Sequence, residues 1–287
     1  MLSIIGSIVV LASVLVAYLL EGGKMGVIIQ PLEVLILVGS AVGALIISSS
    51  TFLIKQIVVR CLDVLKGSKV SKAHYIELLQ LLYELIKMAA ANPLSLEAHI
   101  ENPEGSELFK KYPLFLKNHH AVHFLCDTLK VQISSSLSPY DLEELMDTDL
   151  SATHEEEFQV VSTLNRMADA FPGLGIVAAV IGVVITMGKL TEGKEVIGHS
   201  VAAALVGTFM GILFSYGFGQ PLAAKVESMI NEEGKYLQVI KAALLAYSKG
   251  TNAKVCAEFG RRMIPAEHRP SFTEVDEATS ASGKKAA

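Results

Sequence analysis

The chain has 287 residues, 51% of them apolar, a mean hydropathy of +0.46 and a formal net charge of -5. It is too apolar for an average soluble domain and carries too long a charged interior for a pure membrane bundle, so it reads as part membrane, part water-facing. The negative balance argues against a nucleic-acid partner, whose phosphates demand clustered Lys and Arg.

Taken in chain order, Leu2 to Leu20 and Leu32 to Leu53 are apolar runs, and Phe171 to Thr191 and His199 to Gly219 are two more. A helix rises about 1.5 Å per residue and the bilayer core is about 30 Å thick, so about 20 apolar residues cross it and each run qualifies. None carries an acid or a base at its centre. The first run lacks a basic leader and exceeds the roughly 7 to 15 residues of a signal-peptide core, so it reads as a retained span. Lys55, Arg60, Lys66, Lys69 and Lys72 follow the second span, whereas the connector Glu21 to Pro31 sets Lys24 against Glu21. The excess of positive loop charge predicts residues 55–168 in the cytoplasm, external connectors near 21–31 and 190–198, and both termini on the cytoplasmic side.

The expected fold class is therefore an all-α membrane protein. Four transmembrane helices carry a large helical cytoplasmic insert between spans 2 and 3 and a cytoplasmic C-terminal helix and tail. The expected divisions are 1–54 for the first two spans, 55–168 for the insert, 169–219 for the last two spans, and 220–287 for the final helix and tail.

Within the insert, residues 72–91 set Ile76, Leu79, Leu82, Tyr83 and Ile86 at spacings of three and four. This predicts an amphipathic helix stopped at Asn92-Pro93, its stripe facing a core. Pro103 and Pro113 punctuate the middle. Residues 139–157 hold eight carboxylates and no Lys or Arg; the run is either a solvated helix face or a charged docking surface. Residues 222–248 continue as a helix, and the Ser, Ala, Thr and Lys rich end from about 274 is expected to be disordered.

Cys61, Cys126 and Cys256 are odd in number, widely spaced and outside the spans, which reads as reduced thiols. His119, His120 and His123 form HHxxH, whose i, i+4 pair shares one helix face as zinc ligands do, but no HExxH acid accompanies them. Without a Walker A loop, a GxGxxG after a strand or a nucleophile elbow, nothing supports an enzyme or a bound cofactor.

The membrane runs carry more. Gly39 and Gly43, Gly175 and Ala179, Ala178 and Gly182, and Gly207 and Gly211 repeat small residues at four-residue spacing. Such rows let helix backbones approach closely in lipid, either within one chain or between chains. Pro172 opens the third span and Pro221 closes the fourth, as ordinary helix-terminal prolines or as a paired hinge. Thr186, Thr208, Ser215 and Tyr216 are the polar side chains well inside these two spans. Hydroxyls pass hydrogen bonds but hold no proton charge, so an ion crossing here takes its carboxylate from another chain.

The runs DAFPGLGIVAAVIGVV (169–184) and ALVGTFMGILFSYGFGQPLA (204–223) resemble the third and fourth spans of the MotA family of flagellar motor stator subunits. EGGKMGVIIQPLEVLILVG (21–39), SLEAHIENPEGSELFKKYP (95–113), EFGRR (258–262) and RPSF (269–272) extend the resemblance over nearly the whole chain. It implies a pentamer of these subunits around a dimer of MotB-type chains. Each MotB-type chain contributes one membrane helix with an ion-binding Asp and a domain that grips peptidoglycan, and ion flow turns the rotor protein FliG. It also implies a bacterial inner-membrane location and no cofactor beyond the transported ion.

By the same resemblance Pro172 and Pro221 match the family's two functional prolines, and Thr208 matches its fourth-span threonine. Ala179 stands where sodium-driven relatives have threonine, which favours protons. Glu97 falls on the rotor-facing glutamate; the companion arginine aligns with Ala89, and Lys87, about half a turn earlier, is the nearest substitute. The alternatives are a TolQ/ExbB-type energiser of the cell envelope, which has three spans, a membrane scaffold without ion flux, and a self-contained channel, which the lack of a deep ionisable group disfavours.

Overall fold

The computed structural model describes residues 2–67, 70–135, 137–188, 191 and 193–285, apart from the side chains of 195, 199 and 281–285. Lys69 of the basic cluster, part of the connector near 190–198 and the last two tail residues therefore lie outside the described residues. All regular structure among the described residues is helical. The chain divides into two compact units, Met1–Ser68 with Glu156–Met229 and Lys69–Glu155 with Ile230–Ala287.

In the first unit α1 (Leu2–Leu20) has no buried residue, so most of its apolar surface is left for lipid or another chain. A single turn, α2 (Met25–Ile28), leads through extended Ile29 into α3 (Pro31–Ser48), opened by a proline that needs no N–H at that position. The second span ends at Ser48 rather than at the expected Leu53. Ser49 is extended, and Ser50 accepts a hydrogen bond from the Leu53 N–H at 3.2 Å, starting α4 (Thr51–Lys66) as a separate helix.

In the second unit α5 (Lys72–Ala91) is the core helix. Tyr75, Leu78, Leu79, Leu82, Leu85 and Ile86 are at most 1% exposed, each large aliphatic group contributing about 2 kcal/mol of burial. Leu79, Leu82 and Ile86 of the expected stripe are core while Ile76 and Tyr83 are half-buried, and the buried face is broader than the periodicity suggests because α7 (Pro113–Leu116), α12 (Ala253–Met263) and α13 (Phe272–Lys285) also cover it. Asn92 ends α5 and caps a 3₁₀ turn, Pro93–Leu96, before α6 (Glu97–Glu101). Asn118 caps α8 (His119–Ser134), and His119, His120 and His123 are all exposed on it.

Two helices run far beyond their apolar stretches. α9 (Pro139–Met187) is one 49-residue helix with Pro172 inside it. α10 (Lys194–Ile212) passes through a π-helical segment, Leu213–Gly219, into α11 (Gln220–Ser248) without a break. Pro172 and Pro221 are thus not helix ends. Each sits within continuous helix, deleting a backbone donor where the helix carries on.

The acidic run is spent partly inside its own chain. Asp147 and Glu143 on α9 face Lys241 of α11 at 2.6 and 4.0 Å. Glu156 accepts from Gln56, and Glu157 pairs with Arg60 at 2.5 Å with both side chains 15% exposed.

The tail is ordered, contrary to its composition. α12 (Ala253–Met263) and α13 (Phe272–Lys285) both pack on α5, and Val275 and Thr279 of α13 are buried. The local chemistry explains it. Ser271 and Glu274 form a reciprocal capping box, Glu274 Oε1 accepts from Lys72 at 2.7 Å, and Val275 anchors the face. On α12 Glu258 accepts from Arg261 at 2.6 and 2.7 Å and from Arg262 at 2.9 Å, while Arg261 also donates to the Pro270 carbonyl.

These bonds give the tail a pH limit. The Arg261 hydrogen bonds, then Arg262, hold the Glu258 carboxyl down to about 2 from its ordinary 4.5; the Lys72 hydrogen bond first, then Ser271, holds Glu274 down to about 2. Both carboxyls are lowered by folding, so their stabilisation is complete above about 4.5 and is lost as pH falls toward 2. Digestion of the full chain by an acid-active protease should therefore begin cutting the 264–271 connection within that window. Glu258→Gln should weaken the tail by about 1 kcal/mol already at neutral pH, and an unchanged cleavage profile in the variant would contradict this.

The three cysteines are free, Cys126 and Cys256 buried. Burial pushes their thiols up to about 12 and about 11, so both are poor nucleophiles.

Candidate functional site: a glycine seam between two spans

The first unit is held in its apolar part by close approach of α9 and α10. A β-carbon built on Gly175 would lie 2.8 Å from the Gly207 carbonyl oxygen and 3.2 Å from the Cα atoms of Thr208 and Gly211. One on Gly211 would lie 2.5 Å from the Phe171 carbonyl oxygen and 3.0 Å from the Gly175 Cα, and one on Gly182 would lie 2.7 Å from the Ala204 methyl. Backbone meets backbone over three helical turns, which only hydrogen side chains permit. The structure therefore brings together Gly175, Ala179, Gly182, Gly207, Thr208 and Gly211 of the expected residues. Gly39 and Gly43 are different: neither would meet anything within 4 Å, so their row is open to lipid or to another chain.

At the Pro172 and Pro221 end of this seam the two helices meet again, at Ala168 and Gly219. A β-carbon on Gly219 would come 2.7 Å from the Ala168 methyl, and Gln220 Nε2 donates to Asp169 Oδ1 at 3.0 Å. Ala168 is the residue whose carbonyl the missing Pro172 N–H would have satisfied, and Gly219 is two residues before Pro221. Phe171 and Phe214 stack edge to face at 5.8 Å beside it, over Leu37 and Ala41 of α3. The π-helical segment Leu213–Gly219 sits where the helix gives up its ordinary register, a feature common at functional sites.

The polar groups of the seam divide by partner. Thr186 is 3% exposed and spends its hydroxyl on its own helix, donating to the Gly182 carbonyl at 2.8 Å. Tyr216 points outward, 61% exposed. Ser215 is fully buried, and its Oγ has no hydrogen-bond partner among the described residues. Thr208 is half-buried, and no hydrogen bond to its hydroxyl is formed among the described residues.

One residue was missed by the sequence reading. Glu33, the third residue of α3, counts as a span edge when spans are measured by hydropathy, yet it is 9% exposed and folds against α10. Its Oε2 is 2.8 Å from where a Gly207 β-carbon would be, beside the Ala178 methyl and the Ala179 backbone, and has no hydrogen-bond partner among the described residues. The available signal was a carboxylate just after Gln30-Pro31 in an otherwise apolar run. Nothing in linear order shows that Gly207 makes room for it.

The expected docking residues lie in the second unit. Glu97 opens α6 and Lys87 lies on α5, both exposed and neither in an intramolecular ion pair among the described residues. Ala89, where the family's arginine would stand, is 3% exposed and belongs to the core around α5.

Among the described residues four helices are long and apolar enough to cross a membrane. With the glycine seam that joins two of them, they define a multi-pass membrane protein. The model for the N-terminal part of motility protein A matches residues 4–93, and that for the MotA/TolQ/ExbB proton channel family matches 117–239. The chain belongs to the motility protein A family of stator proton-channel subunits. It is 38% identical to motility protein A of Escherichia coli K12 over 96% of this chain and 94% of that one. It is 34% identical to chemotaxis protein LafT of Vibrio parahaemolyticus, covering 95% and 96%. In fold it is similar to the C. jejuni MotAB structure, with a TM-score of 0.76, 21% identity and coverage of 94% and 98%.

Proposed function

We propose that this chain is the A-type subunit of a flagellar stator that couples proton flow to rotation. It would sit in the bacterial inner membrane, crossing four times with both termini in the cytoplasm. A pentamer would surround two MotB-type chains, whose membrane Asp approaches the Thr208 hydroxyl. The observation that carries the reading is that hydroxyl: half-buried at the glycine seam, without a hydrogen bond among the described residues, and in a helix pair whose apolar stretches 170–187 and 200–212 contain no carboxylate. A site of this composition is completed by an acid from outside. The match of residues 4–93 to the motility protein A N-terminal model supports this over the TolQ/ExbB-type energiser.

Protonation of the partner's Asp would let a subunit move past it. Each charge crossing the membrane supplies about 2.3 kcal/mol per 100 mV. Ala179 offers no hydroxyl to replace a sodium ion's water, which favours protons. The Pro172 and Pro221 level, with its freed carbonyl and π register, is the place where the two long helices bend as that step occurs. Exposed Glu97 and Lys87 would present the charges that meet FliG. The test is rotation by the full complex in cells lacking their own stator. It should run without sodium, stop with a protonophore, and lose torque on Glu97→Lys with recovery by a charge reversal on FliG. Dependence on sodium would overturn proton coupling, and full torque from Glu97→Lys would remove Glu97 from docking.

A further inference from the structure

We propose that Glu33 is a second ion-carrying group of this subunit, accepting a proton from the external side and releasing it toward the partner's acidic residue beside Thr208. The inference rests on the stator reading above and adds a carboxyl to the path which that reading leaves wholly to another chain.

The first observation is burial without a partner. Glu33 is 9% exposed, and its Oε2 makes no hydrogen bond among the described residues. A buried, unsatisfied carboxylate oxygen costs several kcal/mol in an apolar setting, and ionisable groups inside membrane helices persist where they serve transport. The second observation is the notch. Oε2 is 2.8 Å from the β-carbon position of Gly207, with the Ala178 methyl and the Ala179 backbone around the same point, so any side chain at 207 would collide with the carboxyl. Thr208, the hydroxyl that carries the proposed function, is the next residue.

Depth agrees with the role. Ala179 stands eight residues before Met187, the end of α9, about 12 Å along the helix at 1.5 Å per residue. That is well inside a bilayer core of about 30 Å. Among the described residues the elements packed against Glu33 bring no counter-charge close to it: Lys194 opens α10 thirteen residues before Gly207, about 20 Å along the helix at 1.5 Å per residue, and the side chains of Glu195 and His199 lie outside the described residues. Residues 25–32, 170–187 and 200–212 contain no titratable side chain, and α4, with Lys55 and Arg60, follows α3 only beyond Ser48 at its opposite end. The step is a plain proton relay. An O–H bond forms on Glu33 with a proton from external water, breaks as that proton passes to the partner's carboxylate, and leaves Glu33 ionised to accept the next.

The test uses the full complex with its partner chain in proteoliposomes under an imposed potential, with proton flux read by an internal pH dye. Glu33→Gln keeps the shape and removes the titrating oxygen. It should assemble with the partner and lower flux roughly tenfold, while Glu33→Asp retains most of the flux. A wild-type complex that does not conduct would sink the stator reading itself. A conducting wild type matched by Glu33→Gln within twofold at every external pH would overturn this inference alone. Should Glu33→Gln fail to assemble, labelling of the wild-type complex by dicyclohexylcarbodiimide decides the matter. An adduct on Glu33 supports the relay, and labelling of the partner's Asp with none on Glu33 refutes it.

Discussion

Gly211→Ala is expected to abolish rotation and to deplete the protein from the membrane. The added methyl would stand 2.5 Å from the Phe171 carbonyl oxygen and 3.0 Å from the Gly175 Cα. Both obstacles are backbone, so no rotamer change relieves them and α9 and α10 must separate. Overpacking of a well-filled site costs about 1–3 kcal/mol. In lipid no hydrophobic drive between helices compensates, because the tails are as apolar as the side chains. The upper end of that range lowers a packed population roughly 100-fold. A matched control is available in Gly234→Ala on α11, where a β-carbon meets nothing within 4 Å. There the change should be neutral or stabilise by up to about 1 kcal/mol through helix propensity. Quantifying both variants in membranes, alongside tethered-cell rotation, makes the comparison, and wild-type level and rotation from Gly211→Ala would refute the backbone seam.

Pro172→Leu should give the opposite phenotype: a subunit that inserts and assembles normally but does not turn the motor. Leucine restores the backbone N–H that the Ala168 carbonyl lacks within α9, and relieves the clash a proline ring imposes on the preceding turn, together worth about 3 kcal/mol in a helix interior. The helix becomes more regular, and the hinge proposed beside the Ala168 to Gly219 contact stiffens. Torque should fall at least tenfold with unchanged copurification of the partner chain. Normal swimming by the variant would show that the proline's deleted donor plays no part. Loss of assembly would show that it is needed for packing rather than for the stroke. The same logic extends to Pro221, where the deleted donor falls just after the π-helical segment.

Much of this was legible in the linear chain. The spans, the helical insert, the core stripe around Leu79, Leu82 and Ile86, and the small-residue rows follow from run length and period, which are local properties. Other features were misjudged for one recurrent reason. A proline near a hydropathy boundary looks like a helix end, yet Pro172 and Pro221 sit in helices sustained by packing on both sides of the boundary. A Ser, Ala, Thr and Lys rich tail looks disordered, yet a capping box, one valine and Lys72 dock it on α5, a partner some 200 positions away in sequence.

By itself the sequence determined that this protein crosses the membrane, that its spans associate through glycine, and that Thr208 lies in a stretch without a central carboxylate, because composition and spacing set these. Only the tertiary structure decided which glycines already meet within the chain and which remain open, and that Gly207 leaves a notch filled by Glu33. That distinction depends on distances between helices far apart in sequence. In a medium that solvates no charge, a glycine's missing side chain decides both how near two backbones come and where one carboxyl can be hidden.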